Sequence, residues 1–297
     1  MQIVIAGGSG LLGQALNTRL REAGHAITVL TRQPRRPGDV AWVPAEPTGT
    51  WRTTLDTADA VINLVGEPIA AGRWTAARKQ AIRTSRVRAT RTLVQAIRQA
   101  RRTPAAFISG SAVGFYGPRG DEPVIEDTLP GTDFLASVCR EWEGEALDLA
   151  GITRVVLLRT GLVLARDGGA LPPIARPFHL FAGGPIGSGR QVWSWIHVQD
   201  WVSMVTWALT TPTVSGPLNL TAPEPVTNRE FARTLGRVLH RPALMPAPAF
   251  ALRLLLGEMA DPLMLTGQRA LPARAEAHGF QFAFPRLEDA LRNLYSK

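Results

Sequence analysis

The sequence predicts an α/β protein, in which a doubly wound parallel sheet carries a smaller C-terminal α/β cap. Over the first 160 residues, short uncharged segments rich in β-branched residues alternate with amphipathic helical segments. Beyond about residue 165 this alternation gives way to glycine- and proline-rich loops. We therefore predict a main domain over residues 1–165 and a cap over residues 166–297. The boundary is not a clean one, because the chain could return to the main sheet.

The first strand and helix enclose a glycine-rich turn. Residues 3–6 form an apolar run, residues 7–13 read Gly-Gly-Ser-Gly-Leu-Leu-Gly, and an amphipathic segment then ends at Gly24. The turn matches GxGxxG from Gly8 and GxxGxxG from Gly7, and a turn without a ligand is the alternative. Between a strand and a helix, such glycines hold a dinucleotide pyrophosphate in Rossmann-like folds, so we favour a cofactor site. Its predicted contacts in this turn are Gly7, Ser9, Gly10, Leu11, Leu12 and Gly13.

The tip of the second strand, residues 26–30, points to the cofactor's phosphorylation state. Thr31 and Arg32 stand where NAD-binding proteins usually place an acid, and the first acid after them is Asp39. A carboxylate would repel a 2′-phosphate, whereas a guanidinium pairs with it. Although Arg32 could simply be a surface arginine, we favour NADP(H) over NAD and place Thr31 and Arg32 in the site.

Five further elements follow the same alternation. They are an apolar strand at residues 60–66, a helix at 75–102, a strand at 106–109, a helix at 135–149 and a strand at 153–160. The carboxyl ends of parallel strands share one edge of the sheet, and ligands bind at that edge.

Composition excludes several classes of protein. The 297 residues are 45% apolar. They contain no run of eighteen apolar residues, so no membrane span is predicted. Cys139 is the only cysteine, which excludes an intrachain disulfide, and five scattered histidines give no metal-ligand spacing. The scattered histidines lead us to expect no metal site. The first predicted strand begins at once, with no signal segment before it, so we expect a cytoplasmic protein.

The net charge of +9 arises from one segment. Residues 68–120 contain eleven Lys and Arg and no Asp or Glu, which leaves 22 basic against 24 acidic residues elsewhere. Nucleic-acid binding is one interpretation. A solvated helix face beside a phosphate-bearing cofactor is the other, and we favour it.

Several motifs together resemble a known family. The chain is similar to the extended short-chain dehydrogenases/reductases, and more narrowly to their epimerase-like members with a C-terminal domain of unknown function. The motifs lie at residues 63–69, 72–75, 78–79, 85–87, 183–189, 195–197 and 246–285. This resemblance runs nearly end to end and implies an NADP-binding core with an unassigned substrate.

The resemblance also implies positions for the remaining site residues. On the cofactor side it implies Asn63, Leu64, Val65, Gly66 and Arg86, with Val163 near the nicotinamide. Ser111 corresponds to the hydroxyl that orients a substrate carbonyl or alcohol. Trp195 and His197 fall where the family closes the substrate pocket, although core packing is favoured for the tryptophan and His197 could equally be a buried structural histidine.

The superfamily's Tyr-x-x-x-Lys pair is missing. The only tyrosines are Tyr116 and Tyr295 and the only lysines are Lys79 and Lys297, and neither spacing fits. Tyr116 could replace the missing phenol as proton donor or could only line the pocket.

On the helix where the pair should fall, Glu141 and Glu143 could supply a carboxylate, but a solvated face is favoured. We therefore predict an NADP(H)-binding, epimerase-like oxidoreductase for a small carbonyl or hydroxyl compound, acting as a monomer or homodimer. The alternative is a sensor that binds NADP(H) without turnover.

Overall fold

The computed structural model describes residues 1–44 and 46–296. Its strands are β1 (Gln2–Ala6), β2 (Ala26–Thr31), β3 (Asp39–Ala41), β4 (Ala60–Asn63), β5 (Ala106–Ala112), β6 (Pro123–Val124), β7 (Arg154–Thr160), β8 (Leu162–Leu164), β9 (Val192–Trp193), β10 (Trp195–His197), β11 (Gly216–Leu220), β12 (Val226–Thr227) and β13 (Arg269–Ala270). Its α-helices are α1 (Leu11–Glu22), α2 (Ala76–Arg98), α3 (Phe134–Leu147), α4 (Leu171–His179), α5 (Val198–Thr210), α6 (Asn228–Leu239), α7 (Ala249–Leu256), α8 (Ala273–Ala277) and α9 (Leu287–Tyr295).

Among these residues, seven strands form one parallel sheet in the order β11-β7-β5-β4-β1-β2-β3. β1 pairs with β2 on one side and with β4 on the other. The strand order therefore reverses between β1 and β4, which creates the crevice where doubly wound sheets bind ligands. The predicted fold class is confirmed.

Helices cover both faces of the sheet because successive side chains of each strand point to opposite faces. Ile3 and Ile5 of β1 belong to the core under α1 and α5, whereas Val4 and Ala6 belong to the core under α2. Both faces are thus buried, which explains why the strands read as continuous apolar runs.

The chain after residue 165 returns to the central sheet before it forms the smaller layer. β11 pairs in parallel with β7 along its whole length, and α5 packs in the same core as α1. The smaller layer has its own core, which includes side chains of α4, α6 and α9. Its C-terminal part is tied to α5 by Asp200, which accepts backbone hydrogen bonds from Ala283 (2.8 Å) and Phe284 (2.9 Å). The domain boundary at residue 165 stays a prediction.

Two elements differ from their predicted bounds in ways that affect the site. α1 begins at Leu11, inside the glycine turn rather than after it. β5 continues to Ala112, because the missing side chain of Gly110 leaves room for Trp142, whose ring would lie 2.8 Å from a Cβ there. Ser111 is therefore a strand residue with a fixed backbone.

Candidate cofactor and active site

The glycine turn after β1 requires glycine at both of its ends. Gly7 has φ +80°, and a Cβ on it would lie 2.8 Å from the backbone of Leu64. A Cβ on Gly13 would lie 2.5 Å from the carbonyl oxygen of Gly7. The GxxGxxG interpretation therefore describes the packing, with Gly10 closing the turn by a 3.2 Å hydrogen bond to Gly7.

The N-terminus of α1 is available to an anion. Its N-cap is Gly10, which has no side chain that could occupy the first free N–H groups, and its first turn consists of Leu11, Leu12, Gly13 and Gln14. Free N–H groups and the helix dipole attract a phosphate at such a position. The turn therefore has the shape and polarity that a pyrophosphate requires.

Beside this turn lies a cleft of about 600 Å³ at the tip of β2. It extends from the glycine turn to a basic loop, and its lining residues include Gly8, Ser9, Thr31, Arg32, Arg35, Arg36 and Asp39. Three guanidinium groups thus contribute to one wall. Such a wall suits an anionic group carried by a ligand that also reaches the glycine turn.

Asp39, the acid of this cleft, is engaged with the backbone. Its Oδ2 accepts hydrogen bonds from the N–H groups of Arg35 (2.8 Å) and Arg36 (3.0 Å). The carboxylate therefore folds the basic loop and stabilises the positions of its arginines.

The loop after β4 forms the opposite side of the crevice. Asn63 is fully buried, and its amide donates to Thr90 (2.8 Å) while its Oδ1 accepts from the N–H of Val65 (3.2 Å). Leu64 donates its N–H to the carbonyl of Ala6 in β1 (2.8 Å). These bonds hold residues 63–66 against the glycine turn.

Arg86 supports this loop from behind. It donates to the carbonyls of Glu67 and Ile82, at 3.0 Å each, and its guanidinium carbon lies 5.3 Å from the centre of the Trp142 ring. A Cβ on Gly66 would lie 2.9 Å from the guanidinium carbon, so glycine permits this close approach. Burial lowers the pKa of Arg86. Direct contact between Arg86 and a cofactor stays a prediction.

The loop after β8 closes the third side of the crevice. Val163 is half-buried against the same core as Leu12 and Leu64. A Cβ on Gly168 would lie 3.1 Å from the side chain of Leu11, so this loop packs over the start of α1. The predicted cofactor residues of the glycine turn, β4 and β8 therefore meet at one edge of the sheet.

Ser111 belongs to a buried ionic cluster. Its hydroxyl donates to Glu143 Oε1 at 2.6 Å, and both carboxylate oxygens of Glu143 accept from Arg159 at 2.9 Å. All three residues are at most 5% exposed. The preference for a solvated helix face is therefore wrong for Glu143, although it is right for Glu141, which is exposed. An available signal was Arg159 itself, because a charged residue within an apolar strand needs a buried partner.

Cys139 lies one helical turn before Glu143 on α3, so these two residues have the spacing of the missing Tyr-x-x-x-Lys pair. The thiol lies 3.8 Å from the carbonyl oxygen of Ala112. Burial raises the pKa of Cys139 to about 12, so the thiol is neutral near pH 7. Cys139 and Glu143 therefore share only the spacing of that pair.

Tyr116 is fully buried. Its hydroxyl donates to Asn219 Oδ1 at 2.7 Å and accepts from Arg159 Nη1 at 3.1 Å. Burial raises the pKa of Tyr116. This arrangement favours the second of the two open interpretations, a structural residue beside the pocket, because the phenolic proton is already engaged.

The structure does not bring Trp195 and His197 to an open surface. Both are fully buried, and Trp195 donates to the carbonyl of Glu224 at 3.0 Å. His197 caps α5 by accepting the N–H of Gln199 at 3.1 Å, and its ring centre lies 4.0 Å from that of Phe284. Burial lowers the pKa of His197 to about 4. Their burial favours the interpretation of both as structural residues, and contact with a substrate stays a prediction.

Much of the basic segment is paired with acids. Its ion pairs within the described residues are Arg78–Glu67, Lys79–Glu258, Arg83–Glu141, Arg91–Glu145, Arg101–Asp56 and Arg102–Asp59. This pattern is typical of a solvated face, and the absence of nucleic-acid binding stays a prediction. Over residues 1–44 and 46–296, no cluster of His, Cys, Asp and Glu could hold a metal ion, and no helix combines the length and apolarity needed to cross a membrane.

Comparison with known families agrees with this geometry. Residues 3–220 match the NAD dependent epimerase/dehydratase family, and residues 247–294 match DUF1731, a domain of unknown function. The chain belongs to the NAD-dependent epimerase/dehydratase family. The resemblance drawn from the sequence is therefore confirmed, including its C-terminal domain.

Relatives in this epimerase/dehydratase family align over nearly the whole chain. The chloroplastic SDR39U1 homolog of Arabidopsis thaliana is 43% identical over 304 residues, covering 98% of this chain and 86% of the relative. The epimerase family protein ML0860 of Mycobacterium leprae is 42% identical, covering 97% of this chain and 94% of the relative.

Solved structures show the same fold. The human epimerase family protein SDR39U1, crystallised with NADPH, superposes with a TM-score of 0.91 at 36% identity and 99% coverage of both chains. The nucleoside-diphosphate sugar epimerase of Corynebacterium glutamicum gives 0.80 at 34% identity, covering 98% of this chain and 57% of that one. The chain thus has the NAD(P)-binding fold of the epimerase family.

Proposed function

We propose that this protein binds NADP(H) and catalyses hydride transfer between the nicotinamide and a small hydroxyl or carbonyl compound. The observation that carries the choice of NADP(H) is the basic wall at the tip of β2. Arg32, Arg35 and Arg36 line it, and Asp39 is engaged with the loop backbone. The NADPH in the structure of the human relative supports the same choice.

The residues present fit such a cofactor. The cradle has no room for a Cβ at Gly7 or at Gly13, and the N-terminus of α1 faces it with free N–H groups. Arg32 would pair with the 2′-phosphate, and the loops after β4 and β8 would exclude water from the nicotinamide side. The bound nicotinamide would supply the capacity to accept or donate a hydride.

Ser111 would orient the reacting oxygen of the substrate. Because its proton is donated to Glu143, its lone pairs are what it can offer to a ligand. A substrate hydroxyl can donate to these lone pairs, whereas a carbonyl would require Ser111 to turn its proton away from Glu143. The arrangement therefore favours the hydroxyl form of the substrate, with Glu143 as a positioning residue.

Cofactor choice can be tested by titrating NADPH and NADH into Arg32→Ala and wild-type protein while following nucleotide fluorescence. Loss of a charged hydrogen-bond partner of the 2′-phosphate should weaken NADPH binding by about 10- to 100-fold and leave NADH binding unchanged. Arg19→Ala, at an exposed arginine of α1, is the matched control. Equal losses for both nucleotides, or no loss for NADPH, would refute the proposal.

A sensor that binds NADP(H) without turnover is the second candidate. The buried, fully engaged hydroxyl of Tyr116 favours it, because that phenol is poorly placed to exchange protons with a substrate. NADP⁺ reduction with a panel of small alcohols, and NADPH oxidation with the matching aldehydes and ketones, measured on wild-type protein and Ser111→Ala, separate the two. Turnover that Ser111→Ala abolishes supports the enzyme. A cellular role that survives this substitution supports the sensor.

A further inference from the structure

One region of the smaller layer exposes an unusual amount of apolar surface. Across residues 1–44 and 46–296, fourteen large apolar side chains are exposed, and seven of them lie in two segments. We call these seven the apolar face: Leu180, Phe181, Leu244, Met245, Phe250, Leu254 and Leu255. Phe250, Leu254 and Leu255 are 73%, 75% and 68% exposed.

Backbone contacts make this face continuous. The N–H of Met245 donates to the carbonyl of Gly183 (3.0 Å), and the N–H of Ala247 donates to that of Pro185 (2.9 Å). The two segments therefore run side by side until α7 begins at Ala249. On α7, Phe250 and Leu254 are four residues apart and form one ridge.

The helix that carries the ridge has little tertiary support, which comes mainly from Leu256 against a small core cluster and from Arg73, which donates to the carbonyl of Leu254. Every residue of α7 is at least partly exposed, and the helix has only eight residues. Isolated helices of this length are not stable in water, and most helices in proteins are stabilised by burying an apolar face. A partner on the exposed side would supply that burial.

Size and charge identify the partner. At about 100 Å² of apolar surface per side chain, the face offers roughly 700 Å², near the ~800 Å² that each partner contributes to a standard interface and above what monomers usually expose. Arg253 is paired with Asp261 (2.8 Å), whereas Arg241 lies over the ring of Phe181 and keeps its charge. Apolar side chains therefore dominate the face, and homodimer interfaces are the most apolar class.

We propose that the apolar face binds the same face of a second copy of this chain in a two-fold symmetric dimer. In such an interface the ridge of each α7 packs against the other copy, so the same apolar face is buried on both chains. Each chain carries a net charge of +9, so the two copies repel each other at long range. Salt screens that repulsion, with a Debye length of about 10 Å at 0.1 M, and should strengthen the dimer.

Sedimentation velocity tests the proposal on the full chain. The wild type should sediment at twice 32.1 kDa, and raising the salt concentration should lower the dissociation constant. The double variant Phe250→Asp/Leu254→Asp should be a monomer with unchanged circular dichroism. The control Leu129→Asp, at a leucine 76% exposed outside the face, should remain a dimer. A wild type that stays monomeric at 100 μM, or a dimer that survives the double substitution, would overturn the proposal.

Hydrogen exchange on the wild type gives a second reading that needs no variant. The amides of α7 should become protected between 1 and 100 μM protein. If the α7 amides instead became protected on adding NADPH while the protein stayed a 32.1 kDa monomer, another part of the same chain would cover the face. Binding of the monomer to phosphatidylcholine–phosphatidylglycerol vesicles would assign it to a lipid surface. Either result overturns the dimer.

Discussion

His197 should make the protein less stable as the pH falls, and His197→Asn should remove that effect. In the folded protein the neutral imidazole accepts the N–H of Gln199 through Nδ1. Protonation would place a second proton on Nδ1, facing that donor, in a fully buried site beside Phe284. Asparagine retains an N-cap acceptor but does not titrate.

The size of the effect follows from the pKa of His197, which burial lowers from 6.5 to about 4. A lowered pKa means that the unfolded chain binds the proton more readily, so stability is present above pH 6.5 and is lost as the pH falls toward 4. At about 1.4 kcal/mol per pKa unit, the full loss is roughly 3 kcal/mol. Between pH 7 and pH 5 it is about 2 kcal/mol, because at pH 5 the unfolded histidine is almost fully protonated.

The assay is urea unfolding of wild type and His197→Asn at pH 7 and pH 5. Titration of the other groups is common to both proteins, so the difference between their pH dependences isolates His197. Between pH 7 and pH 5, the free energy of unfolding of the variant should fall by about 2 kcal/mol less than that of the wild type. Equal losses would show that His197 accepts a proton without penalty, and the burial argument would fail.

Three further substitutions test the site. Gly13→Ala should weaken NADPH binding at least about tenfold in a fluorescence titration, because its Cβ would meet a backbone oxygen at 2.5 Å and open the phosphate cradle; unchanged affinity would contradict that fit. Glu143→Ala should lower the free energy of unfolding in urea by about 3–5 kcal/mol, since Arg159 is left buried and unpaired, and a loss below 1 kcal/mol would show that water replaces the carboxylate. Tyr116→Phe should cost about 1–3 kcal/mol of stability and leave NADPH binding intact; lost turnover at unchanged stability would instead make the phenol a proton donor.

The fold could be predicted from local patterns because the physical cause of each pattern is local. Strands covered on both faces must be apolar, and a turn packed between a strand and a helix must be glycine wherever a Cβ has no room. Arg32 could be placed at the tip of β2 for the same reason, because its position follows directly from the length of the strand.

Arg159 indicated that a buried partner exists, but the identity of that partner could not be predicted, because the members of the ionic cluster come from different elements. Glu143 on α3 has the periodicity of a helix, and that pattern cannot show whether a polar residue faces water or a distant partner. Its partner Arg159 lies on β7, sixteen residues further along the chain. Trp195 and His197 are a similar case, since the chain that covers β10 includes Phe284, far away in sequence.

The cluster also limits the chemistry available at Ser111. Burial opposes the charge of Arg159, but its hydrogen bonds to Glu143 and the attraction of that carboxyl group outweigh this and raise the pKa of Arg159. Such a pair adds little net field at the substrate oxygen, in contrast to the lysine of a Tyr-x-x-x-Lys site, which stabilises a phenolate. The ion pair instead fixes the orientation of the Ser111 hydroxyl. The proton of Ser111 points at the carboxylate of Glu143, so its lone pairs are left for a ligand. In the proposed reaction a substrate alcohol bound there would keep its own proton until another group or a water molecule removes it.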